Sequence, residues 1–245
     1  MFVSARNFDE YRSMFGLTDH DLSLSLLDCP GGAASFAAEA RARGTRVTSV
    51  DPEYGAGRGK LAELALLENE HKHAELVEPG ADFVWTWFEG PEQYTRLRSE
   101  SARRFGDDIA AHPRHYVEGA LPHLPFPDRS FDLVLSSHLL FSYGRQLDEG
   151  FHREALLELV RLARWQVRLY PLFQHADSTR YPALERMRHF LADCGVTSRV
   201  ESVEYAFDPG DQEMLVLECA ERGALPRSAD VAHQRDPVRW RHRDG

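Results

Sequence analysis

Apolar residues along this chain fall into two rhythms, short solid runs and longer stretches at helical spacing. Leu26 and Leu27, Arg46 to Asp51, His115 to Glu118, Phe131 to Ser136 and Trp165 to Tyr170 read as buried strands. Between them, helical spacing predicts helices over Asn7 to Leu17, Ala33 to Arg43, Glu149 to Arg164 and Tyr181 to Cys194, the last stopped by Gly195. Thr197 to Phe207 and Glu213 to Cys219 flank Asp208-Pro209-Gly210-Asp211 and read as a hairpin.

One stretch exceeds what a strand-helix-strand unit needs. Residues 55–113 hold a helical run from Leu61 to Leu76, an aromatic patch Phe83-Val84-Trp85-Thr86-Trp87-Phe88, and a second helix from Pro91 to Phe105. Long structureless loops are rare in compact domains, so this insertion predicts a helical cap over a ligand edge, where substrate specificity would reside.

The chain has 245 residues and is 42% hydrophobic, enough for one α/β domain over residues 1–220. Residues 221–245, with Arg235, Arg239, Arg241, His242 and Arg243, predict a loose polar tail. The formal charge of −10 argues against a nucleic-acid partner, since neutralising phosphates needs a basic surface. No apolar run approaches the ~20 residues of a membrane span, and the first residues lack a signal-peptide core. Cys29, Cys194 and Cys219 have no C-x-x-C spacing, which predicts neither a disulfide framework nor a zinc site and points to a reduced, cytoplasmic setting. His71-Lys72-His73 lacks the acids or cysteines a metal site needs, so no metal is expected.

The chemistry concentrates where Leu26-Leu27-Asp28-Cys29-Pro30-Gly31-Gly32-Ala33-Ala34-Ser35-Phe36 runs from strand to helix, and where the next strand ends on Asp51-Pro52. An open α/β sheet holds a nucleoside in this way at its carboxyl edge. Glycines permit positive φ and close approach of a ligand, helix N–H groups face the loop, and Asp51 suits a ribose diol. An ordinary strand-turn-helix in which Asp28 and Asp51 act as caps is the alternative. A dinucleotide site wants three spaced glycines for its pyrophosphate. Here the glycines are adjacent and Asp28 precedes them, which would repel a pyrophosphate and suits an ammonium and a sulfonium. S-adenosyl-L-methionine fits that requirement.

Downstream, Leu124-Pro125-Phe126-Pro127-Asp128-Arg129-Ser130-Phe131-Asp132-Leu133-Val134-Leu135-Ser136-Ser137-His138 resembles the stretch leading into the fourth strand of class I S-adenosylmethionine-dependent methyltransferases of the small-molecule, type 11-like branch. Tyr11-Arg12-Ser13-Met14-Phe15, Leu27 to Gly32, Ser137 to Phe141 and Arg168 to Leu172 are similar to segments of a bacterial group within that family. The resemblance implies a Rossmann-like seven-stranded sheet with an antiparallel last strand and helices on both faces. By position it assigns Asp28, Cys29, Gly31, Gly32 and Ser35 to the loop and methionine half of the cofactor, and Asp51 and Pro52 to the ribose. Gly119, Ala120 and Leu121 fall at the adenine, with Ala120 in place of an acid that many relatives carry, leaving Glu118 or backbone to serve. Ser136 and Ser137 lie beside the sulfonium.

His138 is the candidate general base, its alternative role being to hydrogen-bond and shape the loop. Relatives continue with Glu-His, where this chain has Phe141 and Ser142. Tyr143 and Arg168 are further catalytic candidates, and Arg145 another polar group near the edge. Trp85, Trp87, Phe141, Tyr143 and Tyr170 are candidates for substrate contact. The expected activity is methyl transfer by SN2 displacement to O, N or C of a small molecule, by a monomer or homodimer. The alternative is a protein that binds the cofactor without transfer. Nucleic-acid or protein methylation is disfavoured by the charge and by the lack of an N-P-P-Y or D-P-P-Y tetrapeptide.

Overall fold

In the computed structural model, residues 3–57, 59–78, 83–208 and 210–220 are described. The predicted tail, with its arginine cluster, lies outside them. Seven strands, β1 (Ser25–Asp28), β2 (Arg46–Asp51), β3 (Tyr116–Glu118), β4 (Phe131–Ser137), β5 (Ala163–Tyr170), β6 (Thr197–Ser202) and β7 (Glu213–Glu218), form one sheet in the order β3-β2-β1-β4-β5-β7-β6. β1 to β5 run parallel, and β7 is antiparallel to both β5 and β6. The order reverses where β1 meets β4, and in open α/β sheets the crevice outside that switch point is where ligands bind. Register brings the tips together: Asp28 pairs with Ser49 and Leu135, and Asp51 pairs with Glu118.

The described helices are α1 (Phe8–Met14), α2 (Phe36–Ala42), α3 (Lys60–Leu76), α4 (Pro91–Ala111), α5 (Glu149–Leu162) and α6 (Leu184–Asp193). Alternation along the strands sends neighbouring residues to opposite faces. Leu27 and Val134 pack with Leu156, Leu159 and Met187 of α5 and α6, whereas Leu26, Leu133 and Leu135 pack with Tyr11 and Phe36 of α1 and α2. A capping box between Asn7 and Glu10 starts α1.

Several helices differ from the sequence expectation: α1 ends at Met14 instead of Leu17, and α6 starts at Leu184 instead of Tyr181. The helix expected from Ala33 begins only at Phe36, because Gly32 turns the chain at φ +50° and the Ser35 N–H is taken by the Arg6 carbonyl at 2.9 Å. The helix expected to stop at Phe105 continues to Ala111, held by buried Ile109 and by Asp108, which receives both Arg41 and the Tyr116 hydroxyl. The hairpin strands are also shorter, β6 ending at Ser202 and β7 at Glu218, and Asp211 accepts from the backbone of Phe207 and Asp208, each at 3.0 Å, before β7 begins.

Within the long insertion, Leu61, Ala62 and Ala65 of α3 pack against Ala102, Phe105 and Ile109 of α4. Near its start, α4 stacks Tyr94 on Phe207, with ring centroids 4.7 Å apart. Further along, Arg98 is buried in an ion pair with Glu10 of α1 and donates to the Tyr205 hydroxyl at 3.3 Å. α4 thus extends from the β2–β3 side, where Phe105 meets Tyr54 and Tyr116, to the loop that precedes β7. That loop lies at the carboxyl edge, since β6 and β7 run antiparallel to each other and β7 to β5. No described helix is long and apolar enough to cross a membrane.

Candidate functional site

Two carboxylates end adjacent strands at the switch point. Asp28 is fully buried; it accepts from the Tyr11 hydroxyl at 3.1 Å, with Ser49 Oγ at 3.4 Å. Burial pushes its pKa up to about 8, opposed by the Tyr11 hydrogen bond and reinforced by the charge of Asp51. Asp51 accepts from the backbone of Gly32 at 3.0 Å and of Glu53 at 2.9 Å. Burial raises its pKa to about 6 against those two hydrogen bonds. The carboxylate of the second strand therefore fixes the glycine loop of the first.

Gly32 adopts φ +50° with open space where a Cβ would stand. Gly31 is confined for a different reason. A Cβ there would lie 2.4 Å from the Tyr54 hydroxyl oxygen and 2.8 Å from Ser49 Cβ. The Tyr54 hydroxyl donates to the Gly32 carbonyl at 2.9 Å, so part of the room left by the glycines is used by the protein itself. Asp51 caps the 3-10 turn Pro52–Gly55, which carries Tyr54 back over the loop. The signal for this unanticipated residue lay in Asp51-Pro52-Glu53-Tyr54, an acid and a proline opening a tight turn.

The remaining loop candidates occupy more structural positions. Cys29 is buried; burial pushes its thiol pKa up, and its N–H extends the strand pairing by donating to the Leu135 carbonyl at 2.9 Å. Ser35 turns inward, its hydroxyl donating to Glu39 at 2.6 Å and meeting Ser101 at 2.8 Å. Pro52 is half-buried in the turn after Asp51. A Cβ on Gly119 would sit 2.9 Å from Val50 Cγ2 and 3.0 Å from Pro125 Cδ, so close packing demands glycine there. Ala120 bridges to His123, and Leu121 is buried beside it. Glu118 lays its carboxylate against Gly55.

At the tip of β4, Ser136 and Ser137 are buried, and Ser137 Oγ lies 2.8 Å from Nδ1 of His138. His138 holds φ +50°, a conformation that is costly for a residue with a Cβ and that clusters at functional sites. Its N–H donates to the Tyr170 carbonyl at 2.7 Å. Its ring lies 5.2 Å from that of Tyr170 and 5.8 Å from that of His175, the two imidazoles being stacked within 18°. Burial, then the charges of Arg6, His175 and Arg98, hold the His138 pKa well below the usual histidine value. The imidazole is therefore neutral near pH 7, and when Ser137 accepts from Nδ1 its Nε2 is free to take a proton. His175 stands exposed at the rim with the edge of Tyr143 against it at 5.7 Å. No sequence pattern marked His175; it arrives from the segment after β5.

Four candidates are not presented to this edge as expected. Arg168 is buried in an ion pair with Asp21 at 3.1 Å and donates to the Phe15 carbonyl at 2.8 Å, so its guanidinium joins β5 to the N-terminal region. Phe141 belongs to the core, its ring against those of His152 and Tyr181. Trp85 and Trp87 pack on Phe207 at 5.8 Å and Tyr205 at 5.4 Å, fastening the stretch before α4 to the loop before β7. Tyr170 does reach the edge, but as a buried wall between His138, Phe15 and Tyr205.

Residues 91–169 match the model of a family described as a methyltransferase domain. The chain is 27% identical over 214 residues to an uncharacterized protein of Methanocaldococcus jannaschii, covering 86% of this chain and 93% of that one. Among solved structures it is similar to magnesium protoporphyrin IX methyltransferase of Synechocystis with bound SAM, at 14% identity, TM-score 0.43, and 86% and 90% coverage of the two chains. It is also similar to the 1,6-didemethyltoxoflavin-N1-methyltransferase of Burkholderia thailandensis, at 17% identity, TM-score 0.45, and 86% and 77% coverage. The family match runs from α4 through β5, within a seven-stranded sheet that reverses between β1 and β4 and has β7 antiparallel to β5.

Proposed function

We propose that this protein transfers a methyl group from S-adenosyl-L-methionine to an oxygen, nitrogen or carbon of a small molecule. The observation that carries this reading is the pair of buried carboxylates, Asp28 and Asp51, flanking a glycine at positive φ, both raised in pKa. A fully buried acid without a basic partner is unfavourable in its charged form. A ligand that brings an ammonium and a sulfonium, together with ribose hydroxyls as donors, meets that demand, so the residues fit the cofactor. When bound, S-adenosyl-L-methionine supplies a methyl group made electrophilic by its sulfonium.

The protein's own contribution is placement and proton transfer. Asp51, anchored by two backbone N–H groups, is positioned to receive the ribose diol, and Asp28 to face the cationic half. Backbone at Gly119 and Ala120 is close-packed where an adenine edge would lie, with Leu121 beside it. In-line displacement needs chiefly orientation and exclusion of water. Neutral His138, steadied by Ser137 and Tyr170, takes the proton when the acceptor is a hydroxyl or amine. The chain's net charge of −10 supports a small-molecule acceptor over nucleic acid.

Calorimetry with S-adenosylhomocysteine tests the reading. Binding at micromolar levels is expected, with a loss of about 100-fold or more in Asp51→Ala, where a charge-assisted pair of hydrogen bonds is removed. No heat with either cofactor form would overturn it. Label from isotopically marked cofactor appearing in any product separates transfer from binding alone.

A further inference from the structure

The segment Tyr11-Arg12-Ser13-Met14-Phe15 and the segment from Arg168 to Leu172 are far apart in sequence and joined in space. Arg168 on β5 donates to the Phe15 carbonyl at 2.8 Å, and the Phe15 ring meets that of Tyr170 edge-on at 6.2 Å. At its other end α1 is started by the capping box of Asn7 and Glu10, and Glu10 is paired with Arg98 of α4. Tyr11 is held between these two anchors. Its ring stacks on Phe36, the first residue of α2 after the glycine loop, with centroids 4.3 Å apart and planes within 7°, and it tilts against Phe15 at 5.6 Å. Only 2% of the residue is exposed.

That fixed ring carries one polar group, and it is directed at Asp28. The Tyr11 hydroxyl donates to Asp28 Oδ1 at 3.1 Å across 17 positions, with both residues buried. A phenylalanine would fill the same space against Phe36 and Phe15 without taking a hydroxyl out of water, so packing alone does not account for the oxygen. Burial and the charge of Asp28 push the Tyr11 pKa well above the usual phenol value, against Arg6 and Ser137, so the hydroxyl keeps its proton and serves Asp28 as a donor. Ser49 of β2 faces the other carboxylate oxygen from 3.4 Å, a longer and weaker contact. Cys29 next in the chain, Asp51 at the tip of β2 and Tyr54 from the turn after it also act on or feel the Asp28 charge, and none of them is a cation. Among the described residues, Tyr11 is therefore the close donor to a carboxylate that must be charged to receive an ammonium.

We infer that Tyr11 is a positioning residue for the methyl donor: its hydroxyl, fixed through Phe36 and Phe15, orients the buried Asp28 carboxylate and holds it ready for the donor's ammonium. This inference rests on the methyltransferase reading. Tyr11 meets neither the methyl group nor the acceptor, and it forms and breaks no covalent bond. Its placement makes docking of the N-terminal helix a condition of binding the amino-acid half of the cofactor, whereas the ribose half depends on Asp51 and the backbone of Gly32 and Glu53.

The test uses the full chain and Tyr11→Phe, which keeps the ring contacts. Calorimetry should show a loss of about 10-fold or more for S-adenosylhomocysteine and no change for 5′-methylthioadenosine, which lacks the ammonium and carboxylate. Wild-type affinity for S-adenosylhomocysteine should rise between roughly pH 6 and pH 8 as Asp28 ionises, and in Tyr11→Phe that rise should move to higher pH because the carboxyl has lost its donor. With 3-fluorotyrosine at position 11, a stronger donor of nearly the same shape, it should move to lower pH. An equal loss for both ligands would leave Tyr11 a packing residue only, and a pH profile unshifted in both variants would uncouple it from Asp28; either result overturns the inference. Failure of the wild-type protein to bind either ligand removes the methyltransferase reading, and with it the role toward the donor. Melts of ligand-free protein tell that failure from a missing link between Tyr11 and Asp28. If the link is present, the fall in stability with rising pH extends above roughly pH 8 in Tyr11→Phe; if it is absent, the two profiles coincide.

Discussion

The two halves of the candidate site are built by different means. The donor half, Asp28, Gly31, Gly32 and Asp51, sits on the tips of β1 and β2 and is fixed by sheet register and backbone hydrogen bonds. The half around His138 draws His138, His175 and Tyr205 from segments far apart in sequence, and is held by side-chain joints: Glu10 with Arg98 and Tyr205, Tyr94 on Phe207, and His138 on His175. A half made of strand tips persists as long as the sheet does. A half made of joints can be disturbed while the sheet survives.

The largest effect should come from cutting a joint. Arg98→Met leaves Glu10 buried and unpaired, which costs about 3–5 kcal/mol of stability; urea unfolding measures it. S-adenosylhomocysteine affinity of the folded variant should stay near that of the parent, and an equal loss of affinity would show that the halves are one unit.

Next in size is a pH effect confined to the donor half. Asp28 is protonated more readily in the folded than in the unfolded chain, so between roughly pH 4 and pH 8 the native state binds more protons and stability falls as pH rises, by up to about 1 kcal/mol per unit. Thermal melts of ligand-free protein should show that slope, and Asp28→Asn should flatten it. A flat parent profile would mean that Asp28 carries no unusual burial cost.

Smaller again, Gly31→Ala forces its new Cβ against Ser49 and Tyr54 and should cost about 1–3 kcal/mol. Tyr54→Phe in the same chain should recover part of this, a non-additivity expected of residues in contact. Strict additivity would remove Tyr54 from the account of Gly31. The least change in stability is expected for His138→Gly, within about 1 kcal/mol, because glycine relieves the positive φ while the ring's packing is lost. Methyl transfer should nonetheless fall roughly 100-fold or more if the imidazole is the base.

The same division governs what could be read from the chain before its fold was in view. Asp28 and Asp51 were legible because strand period and the acid-glycine turn are local features. Tyr54 was not, since its reach over Gly31 depends on how the turn Pro52–Gly55 folds back. Arg168 was expected near the catalytic edge, yet its Cα pairs with Leu135, two positions short of the β4 tip, and its side chain emerges toward Asp21. Trp85 and Trp87 looked available for a ligand because nothing local predicted the loop that brings Tyr205 and Phe207 onto them. His175 carries no motif at all, and its significance is purely one of meeting His138 in space.

The hydrogen bond from the Tyr205 hydroxyl to Glu10, 3.0 Å long across 195 positions, also sets an order of events during synthesis. Asp28, Asp51 and Ser137 have all left the ribosome while the strand that follows residue 212 is still unmade, whereas the joint of Glu10, Arg98 and Tyr205 must wait for that last strand to return the loop to the N-terminal helix. A nascent chain would therefore expose the residues of the glycine-loop half well before the half around His138 can be completed.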